Sequence, residues 1–339
     1  MTTSINGTTG VTFTDGSTLN TAPSGFGFKN RLINGSFNIF QRSTSATITA
    51  GSTIAAGYST VDRWYVYCTG ANVTAASVAG VAPDAYQLQI TGAASVTAVG
   101  IGQRIENVNC ADLAGSVCTL SATIANSLLT TVTWTAYYAN TNNTFGTLAS
   151  PTRTQIATGT FTVSSTAARY STNITMPSAA TTGIEIVFTV GAQTSGTWQL
   201  DNIQLEQGST ANVFDVRPYT TELILCQRYY YKAVSSTSNW LGSAGYIGIG
   251  SSTTARTPSI FPVQMRIAPT VLDTTGTAGN YRILPDNVTL TSVPAINLAN
   301  VNDGWLSLTA TGGGLSSGGV AVLSASAGVT IFLGWGAEL

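Results

Sequence analysis

Hydrophobic and polar residues alternate along most of this chain with a period of two, the pattern of half-buried strands. It is clear in Val132-Thr133-Trp134-Thr135-Ala136-Tyr137 and in Glu185-Ile186-Val187-Phe188-Thr189-Val190. Such runs are short and separated by Gly, Asn or Pro, the all-β signature. Residues 30–215 read as one β-sandwich, with strands expected at Arg31–Phe40, Arg63–Tyr67, Ala85–Ile90, Ser116–Ile124, Thr131–Tyr138, Thr158–Val163, Arg169–Met176, Ile184–Thr189 and Thr197–Leu205. Residues 234–339 read as a second β region. In it Val320–Leu323 and Val329–Trp335 are expected as late buried strands, and Pro269 bars a helix across Phe261–Val271.

The period changes once. Tyr219, Leu223, Cys226 and Tyr230 stripe one face of a helix of about three turns within residues 216–233. Thr220 is its expected N-cap. Glu222 in the first turn and Arg228 and Lys232 in the last suit the helix dipole. The triple Tyr229-Tyr230-Tyr231 reads either as packing on a sandwich or as part of a binding surface. Residues 1–29 are polar and glycine-punctuated, with β-prone runs at Ile5-Asn6-Gly7 and from Val11 to Ser17.

Composition narrows the function classes. At 339 residues the chain exceeds what one compact core usually takes, so two or more domains are expected. Only 8% of residues are charged and the net charge is −1, while 43% are hydrophobic, which excludes extended disorder. No basic run offers a nucleic acid its counter-charge, and no apolar run approaches a membrane span. Met1-Thr2-Thr3-Ser4 lacks the basic start and apolar core of an export signal, so the cytoplasm is the expected site of synthesis and Asn-X-Ser/Thr sequons such as Asn72-Val73-Thr74 are expected to stay bare. The absence of His removes Ser-His-Asp and Cys-His nucleophile systems. Cys68, Cys110, Cys118 and Cys226 lack metal spacing; Cys110 and Cys118 could meet across a hairpin, but free buried thiols are the expectation in reducing cytoplasm. Fourteen acidic residues are scattered singly and nothing selects a glycosidase pair. Trp64, Trp134 and Trp198 lie within strands and are expected in the core. Arg63 and Arg217 are expected to pair with Asp62, Asp201 or Asp215.

Several segments carry a resemblance. Leu205-Glu206-Gln207-Gly208, then Arg217-Pro218-Tyr219, then Leu225-Cys226-Gln227-Arg228-Tyr229-Tyr230-Tyr231-Lys232 resemble a stretch that recurs in bacteriophage virion proteins, chiefly tail fibres and related tail or head fibres. The pieces GVTFTDGSTLNTA, FPVQMRIAPTV and the terminal GWGAEL are similar to fibre segments as well. NRLINGSFNIFQR and SGTWQLDNIQLEQG resemble the first and last strands of jelly-roll carbohydrate-binding modules, with VDRWYVY as an early strand.

This resemblance implies an N-terminal virion-attachment arm (1–29), a jelly-roll carbohydrate-binding-like domain (30–215), a linker helix (216–233) and a receptor-binding C-terminal β domain (234–339). It implies a non-enzymatic tail fibre or adhesin, a homotrimer, located in the virion and assembled in the host cytoplasm. Its arm would meet other virion proteins and it would bind a host-surface glycan. A head-fibre or decoration protein with a purely structural role is the alternative. No cofactor is expected apart from a structural calcium, for which Asp201 occupies the matching acidic position. In the C-terminal region Trp240, Tyr246 and Trp305 are the expected glycan contacts, with Trp240 and Trp305 on loops because turn-forming neighbours flank them.

Overall fold

The structure, a computed structural model, describes residues 4–6, 10–12, 18–19, 29–51, 57–81, 84–236, 241, 247–284, 286–316, 318 and 320–339. The fold is all-β with one short helix. Three strands, β1 (Ser4–Asn6), β2 (Gly10–Thr12) and β3 (Thr18–Leu19), make an antiparallel meander near the start. Next come β4 (Ser45–Ile48), β5 (Tyr65–Thr69), β6 (Val73–Ala79), β7 (Tyr86–Thr91), β8 (Ala98–Ile105), β9 (Val117–Asn126), β10 (Thr131–Ala139), β11 (Arg153–Thr162), β12 (Ala168–Thr175), β13 (Ile184–Val190) and β14 (Thr197–Gln207). They form two sheets, β11-β10-β13-β8-β5 and β12-β9-β14-β7-β6-β4. The non-sequential order of each sheet is that of a jelly roll. Between the sheets lies the larger core, where Trp64, Trp134 and Trp198 are buried as expected.

After helix α1 (Tyr219–Gln227) the chain continues as β15 (Tyr230–Ser236), β16 (Ile247–Ile249), β17 (Thr254–Ile260), β18 (Val271–Asp273), β19 (Tyr281–Leu284), β20 (Val288–Thr289), β21 (Ala295–Ala299), β22 (Asp303–Thr309), β23 (Val320–Ala325) and β24 (Thr330–Gly336). A three-stranded sheet, β15-β24-β18, and a seven-stranded sheet, β20-β19-β23-β16-β17-β22-β21, enclose a second core around Tyr281, Leu306, Leu308, Leu333 and Trp335. This is the second sandwich-like unit that the alternation predicts.

Three expectations are corrected. Arg31–Phe40 is not a strand. Asn34 and Phe37 take left-handed backbone angles, φ 57° and 54°, which coil the segment. Side chains replace the missing ladder: Gln103 accepts from Ile33 N and donates to Ile33 O, both at 2.7 Å. Asn34 bonds Ile39 N at 3.0 Å and Ile39 O at 2.8 Å, and Asn30 bonds Leu205 N and Ile203 O.

The helix is also shorter than its apolar stripe. It stops at Gln227, Pro218 rather than Thr220 is its N-cap, and Tyr230 and Lys232 belong to β15. Tyr219 is 63% exposed, whereas the helix buries Glu222 and Cys226. Burial of a carboxylate requires partners, and Glu222 has them: Arg217 Nη1 donates to it at 3.1 Å, and Asn34 N donates to it as well. Thus Arg217 pairs with Glu222, and Arg63 pairs with Glu338. Neither takes the aspartate partner expected of it.

The two cores meet across a charged seam. The Arg63 guanidinium lies 3.4 Å from the Tyr229 ring centroid and that of Arg42 lies 3.6 Å from Tyr230. Arg42 reaches Glu338 at 3.3 Å, Arg228 reaches Glu106 at 3.1 Å, and Arg266 donates to Ala337 O at 2.8 Å. A small cluster of Ile33, Ile39, Cys226 and Tyr229 fills the gap beside them. Tyr229 and Tyr230 are each 1% exposed, so they pack the seam and present no surface. All four cysteines are buried and free.

Candidate functional site: a tyrosine-paved sheet face

The five-stranded sheet has one face on the core and one turned outward. Trp134, Ala136, Ile186, Phe188, Ile101 and Val66 point inward, so their alternate neighbours share the outer face. The register arranges them in three rows across the sheet. The first runs Thr160, Thr133, Thr189, Gly100, Tyr67; the second Thr158, Thr135, Val187, Gly102, Tyr65; the third Gln155, Tyr137, Glu185, Arg104.

Gly100 and Gly102 are required by this arrangement. A Cβ at Gly100 would collide with the Tyr67 ring, and one at Gly102 with the Tyr65 ring. Without those carbons the two rings lie down across β8, stacked at 6.4 Å with 27° between planes. Tyr67 and Tyr137 are half-buried, leaving part of each ring to solvent, while Tyr65 is covered.

A buried ionic group anchors the third row. Glu185 is fully buried and accepts from Tyr65 Oη at 2.7 Å, from Arg104 Nε at 2.8 Å and from Arg153 Nη1. Arg153 also lies 4.0 Å from the Tyr137 ring centroid. Burial, and then the Glu185 charge, push the Tyr65 hydroxyl well above its ordinary value, so it stays a donor. The face thus offers parts of the Tyr67 and Tyr137 rings, threonine hydroxyls and the Arg153 side chain, while Tyr65 and Arg104 are buried beneath it. Stacking and hydrogen bonding are what such a surface can do.

At the Arg104 end the face runs into the seam between the cores. Openings of about 310 Å³ and 420 Å³ there share Arg42, Tyr58 and Asp273.

Asp201 lies on the opposite sheet, 4% exposed, where β14 changes register between Asp201 and Gln204. Burial, and then the neighbouring Asp84, lift its carboxyl to about 8. Asn202 Nδ2 donates to Asp84 at 2.7 Å, and its Oδ1 is buried without a partner. Asp84, Asp201 and that orphaned oxygen are the hard donors a calcium ion takes, although six or more are needed. Among the described residues no cluster of three metal-binding side chains occurs.

Trp305 sits inside strand β22 rather than on a loop, opposite Pro258 and Leu298, and is 40% exposed. Trp240 and Tyr246 lie outside the described residues. Sequence reasoning did not single out Tyr65, Tyr67, Tyr137, Arg104, Arg153 or Glu185. The available signal was the alternation Tyr65-Val66-Tyr67 matched by Gly100-Ile101-Gly102.

No protein-family model matches the chain, and no curated protein matches it. Solved structures are similar at low identity. One is the tailspike protein 4 enzymatically active domain of bacteriophage CBA120, 16% identical with a TM-score of 0.35, covering 53% of this chain and 22% of that one. Another is a CBM4 structure, 15% identical with a TM-score of 0.34, covering 52% of this chain and 98% of that one. A third is the family 11 carbohydrate-binding module of a cellulosomal cellulase of Clostridium thermocellum, 15% identical with a TM-score of 0.31, covering 48% and 99%.

Proposed function

We propose that this chain is a non-enzymatic glycan-binding protein of a bacteriophage virion, a tail fibre or adhesin. The observation that carries the glycan reading is the paved outer face of the five-stranded sheet, where Tyr67 and Tyr137 offer ring surface beside Thr133, Thr158 and Thr160. Pyranose rings present apolar C–H faces and equatorial hydroxyls, which suit that combination. The virion assignment is supported by the fibre-like stretch from Leu205 to Lys232 and by the low charge of the chain. The non-enzymatic reading is supported by the scatter of the fourteen acidic residues, among which nothing in the sequence selects a glycosidase pair. A structural calcium on Asp84 and Asp201 belongs to the same reading.

The test is glycan binding to the intact chain. Tyr67→Ala and Tyr137→Ala should each weaken binding of host-surface polysaccharide by about fivefold, at about 1 kcal/mol for a lost stacking ring. Trp305→Ala should leave it unchanged. If Trp305→Ala abolishes binding and the tyrosine variants do not, the receptor site lies on the C-terminal unit. If no host glycan binds, a structural head-fibre or decoration role is the better account.

A further inference from the structure

The Glu185 group is unbalanced. Two guanidiniums, Arg104 and Arg153, converge on one buried carboxylate. Arg104 is fully engaged: Nε on Glu185, Nη1 on Leu339 O at 2.8 Å, and Nη2 on Gly146 O at 3.1 Å. Arg153 is not. Nη1 alone donates to Glu185; Nε is buried without a partner, and among the described residues Nη2 donates to no group. Nε and Nη2 form one edge of the guanidinium, two parallel N–H donors spaced for the two oxygens of a carboxylate. An unpaired buried donor is costly; Nε itself is closed to solvent, while the Arg153 side chain as a whole is 11% exposed. It lies beside the Tyr137 ring, within the face assigned to sugar.

We propose that the glycan taken by this face is carboxylated, and that the sugar carboxylate seats on the Nε/Nη2 edge of Arg153 while its ring packs on Tyr137. The inference rests on the glycan-binding reading above. A uronic or nonulosonic acid residue supplies the planar two-oxygen anion that this edge fits. A sulfate ester supplies the charge without the planar pair.

The experiment uses the full chain on an array holding uronic- and nonulosonic-acid oligosaccharides, their carboxyl-reduced counterparts, sulfated oligosaccharides and neutral ones. Calorimetry follows on the binders, at low and high salt. The expected result is that carboxylated oligosaccharides bind at least about tenfold tighter than their reduced counterparts, with affinity falling as salt rises. Arg153→Lys keeps the charge but removes the fork, and should lose most of that preference at an unchanged melting temperature. Should this variant unfold, the wild-type ratio of acid to reduced ligand still decides. Equal binding of acid and reduced ligands, with both lost in Tyr137→Ala, overturns the carboxylate inference and leaves the glycan site standing. Binding of sulfated sugars alone overturns it too. Binding of nothing on the array overturns the glycan reading and the inference together.

Discussion

At the scale of single residues, two small features decide a great deal. The first is the absent Cβ at Gly100 and Gly102, which lets two tyrosines lie flat on the sheet. Gly100→Ala should lift Tyr67 off the face. Glycan binding should then fall about as far as in Tyr67→Ala, checked by the same titration; unchanged binding would mean that the ring is not part of the site. The second is Asp201. Its carboxyl sits at about 8 when folded against an ordinary 3.8, raised by burial and by Asp84. Between those values the folded state holds a proton that the unfolded chain has released. Its contribution is therefore fully present below about 4 and is lost as pH rises to about 8. Asp201→Asn should flatten that decline, and without added cation it should melt higher than wild type near neutral pH. Added calcium should raise the wild-type melting temperature and leave the variant unmoved. A calcium response that survives Asp201→Asn removes that residue from any metal site.

At the scale of elements, the helix and the coil at 30–40 are held by polar side chains that alternation does not reveal. Arg217 Nη1 bridges Glu222 at 3.1 Å and Leu32 O at 3.2 Å, while Glu222 takes Asn34 N. Arg217→Ala would strand a buried carboxylate, which costs about 3–5 kcal/mol. Chemical denaturation should read that loss, whereas Leu223→Asp should cost less, because Leu223 is only partly buried. Eight strands of the larger unit and the last two of the smaller were legible as β-prone runs, whereas β8 was not, since it is buried along nearly its whole length and carries Gly100 and Gly102 in place of an alternation. The coil was not, since Arg31–Phe40 has strand-like residues and its backbone bonds go to scattered partners: Arg31 N to Leu205 O at 2.8 Å, Gly35 O from Ile203 N at 2.9 Å, and Ile33 and Ile39 to the side chains of Gln103 and Asn34. The outer sheet face was half legible. Tyr65 and Tyr67 were visible as alternating residues, yet the pairing of β5 with β8 and of β8 with β13 is what brings Gly100, Gly102, Arg104 and Glu185 beneath and beside them. That pairing joins residues more than thirty positions apart, and no local pattern encodes it.

At the scale of the whole molecule, the question is what covers the exposed apolar surface of the C-terminal unit. On the outer face of β17, β21 and β22, the register sets Trp305 opposite Pro258 and Leu298, with Ile260 opposite Asp303 two positions along. Ile260 is 72% exposed and Leu298 67% exposed. Three large apolar side chains on one sheet face are costly to leave in water, and an adjoining copy of the chain would cover them. Our hypothesis is that this face is buried in a homo-oligomer, a trimer as in fibres. Arg256 and Ser307, on the same face, would then form its polar rim. Light scattering on the purified chain should give three times the chain mass. Ile260→Glu combined with Leu298→Glu should reduce it to one while circular dichroism stays that of the folded chain. A wild-type monomer at micromolar concentration sinks the idea. Such a trimer would also bear on the proposed sugar site. Single glycan contacts are weak, and three linked copies of the Tyr67–Tyr137 face would gain avidity by effective concentration alone. The double glutamate variant should therefore bind a monovalent oligosaccharide as wild type does, yet lose most of its affinity for a surface-bound polysaccharide. Equal loss against both ligands would mean that the C-terminal face contacts sugar itself, as first expected for Trp305.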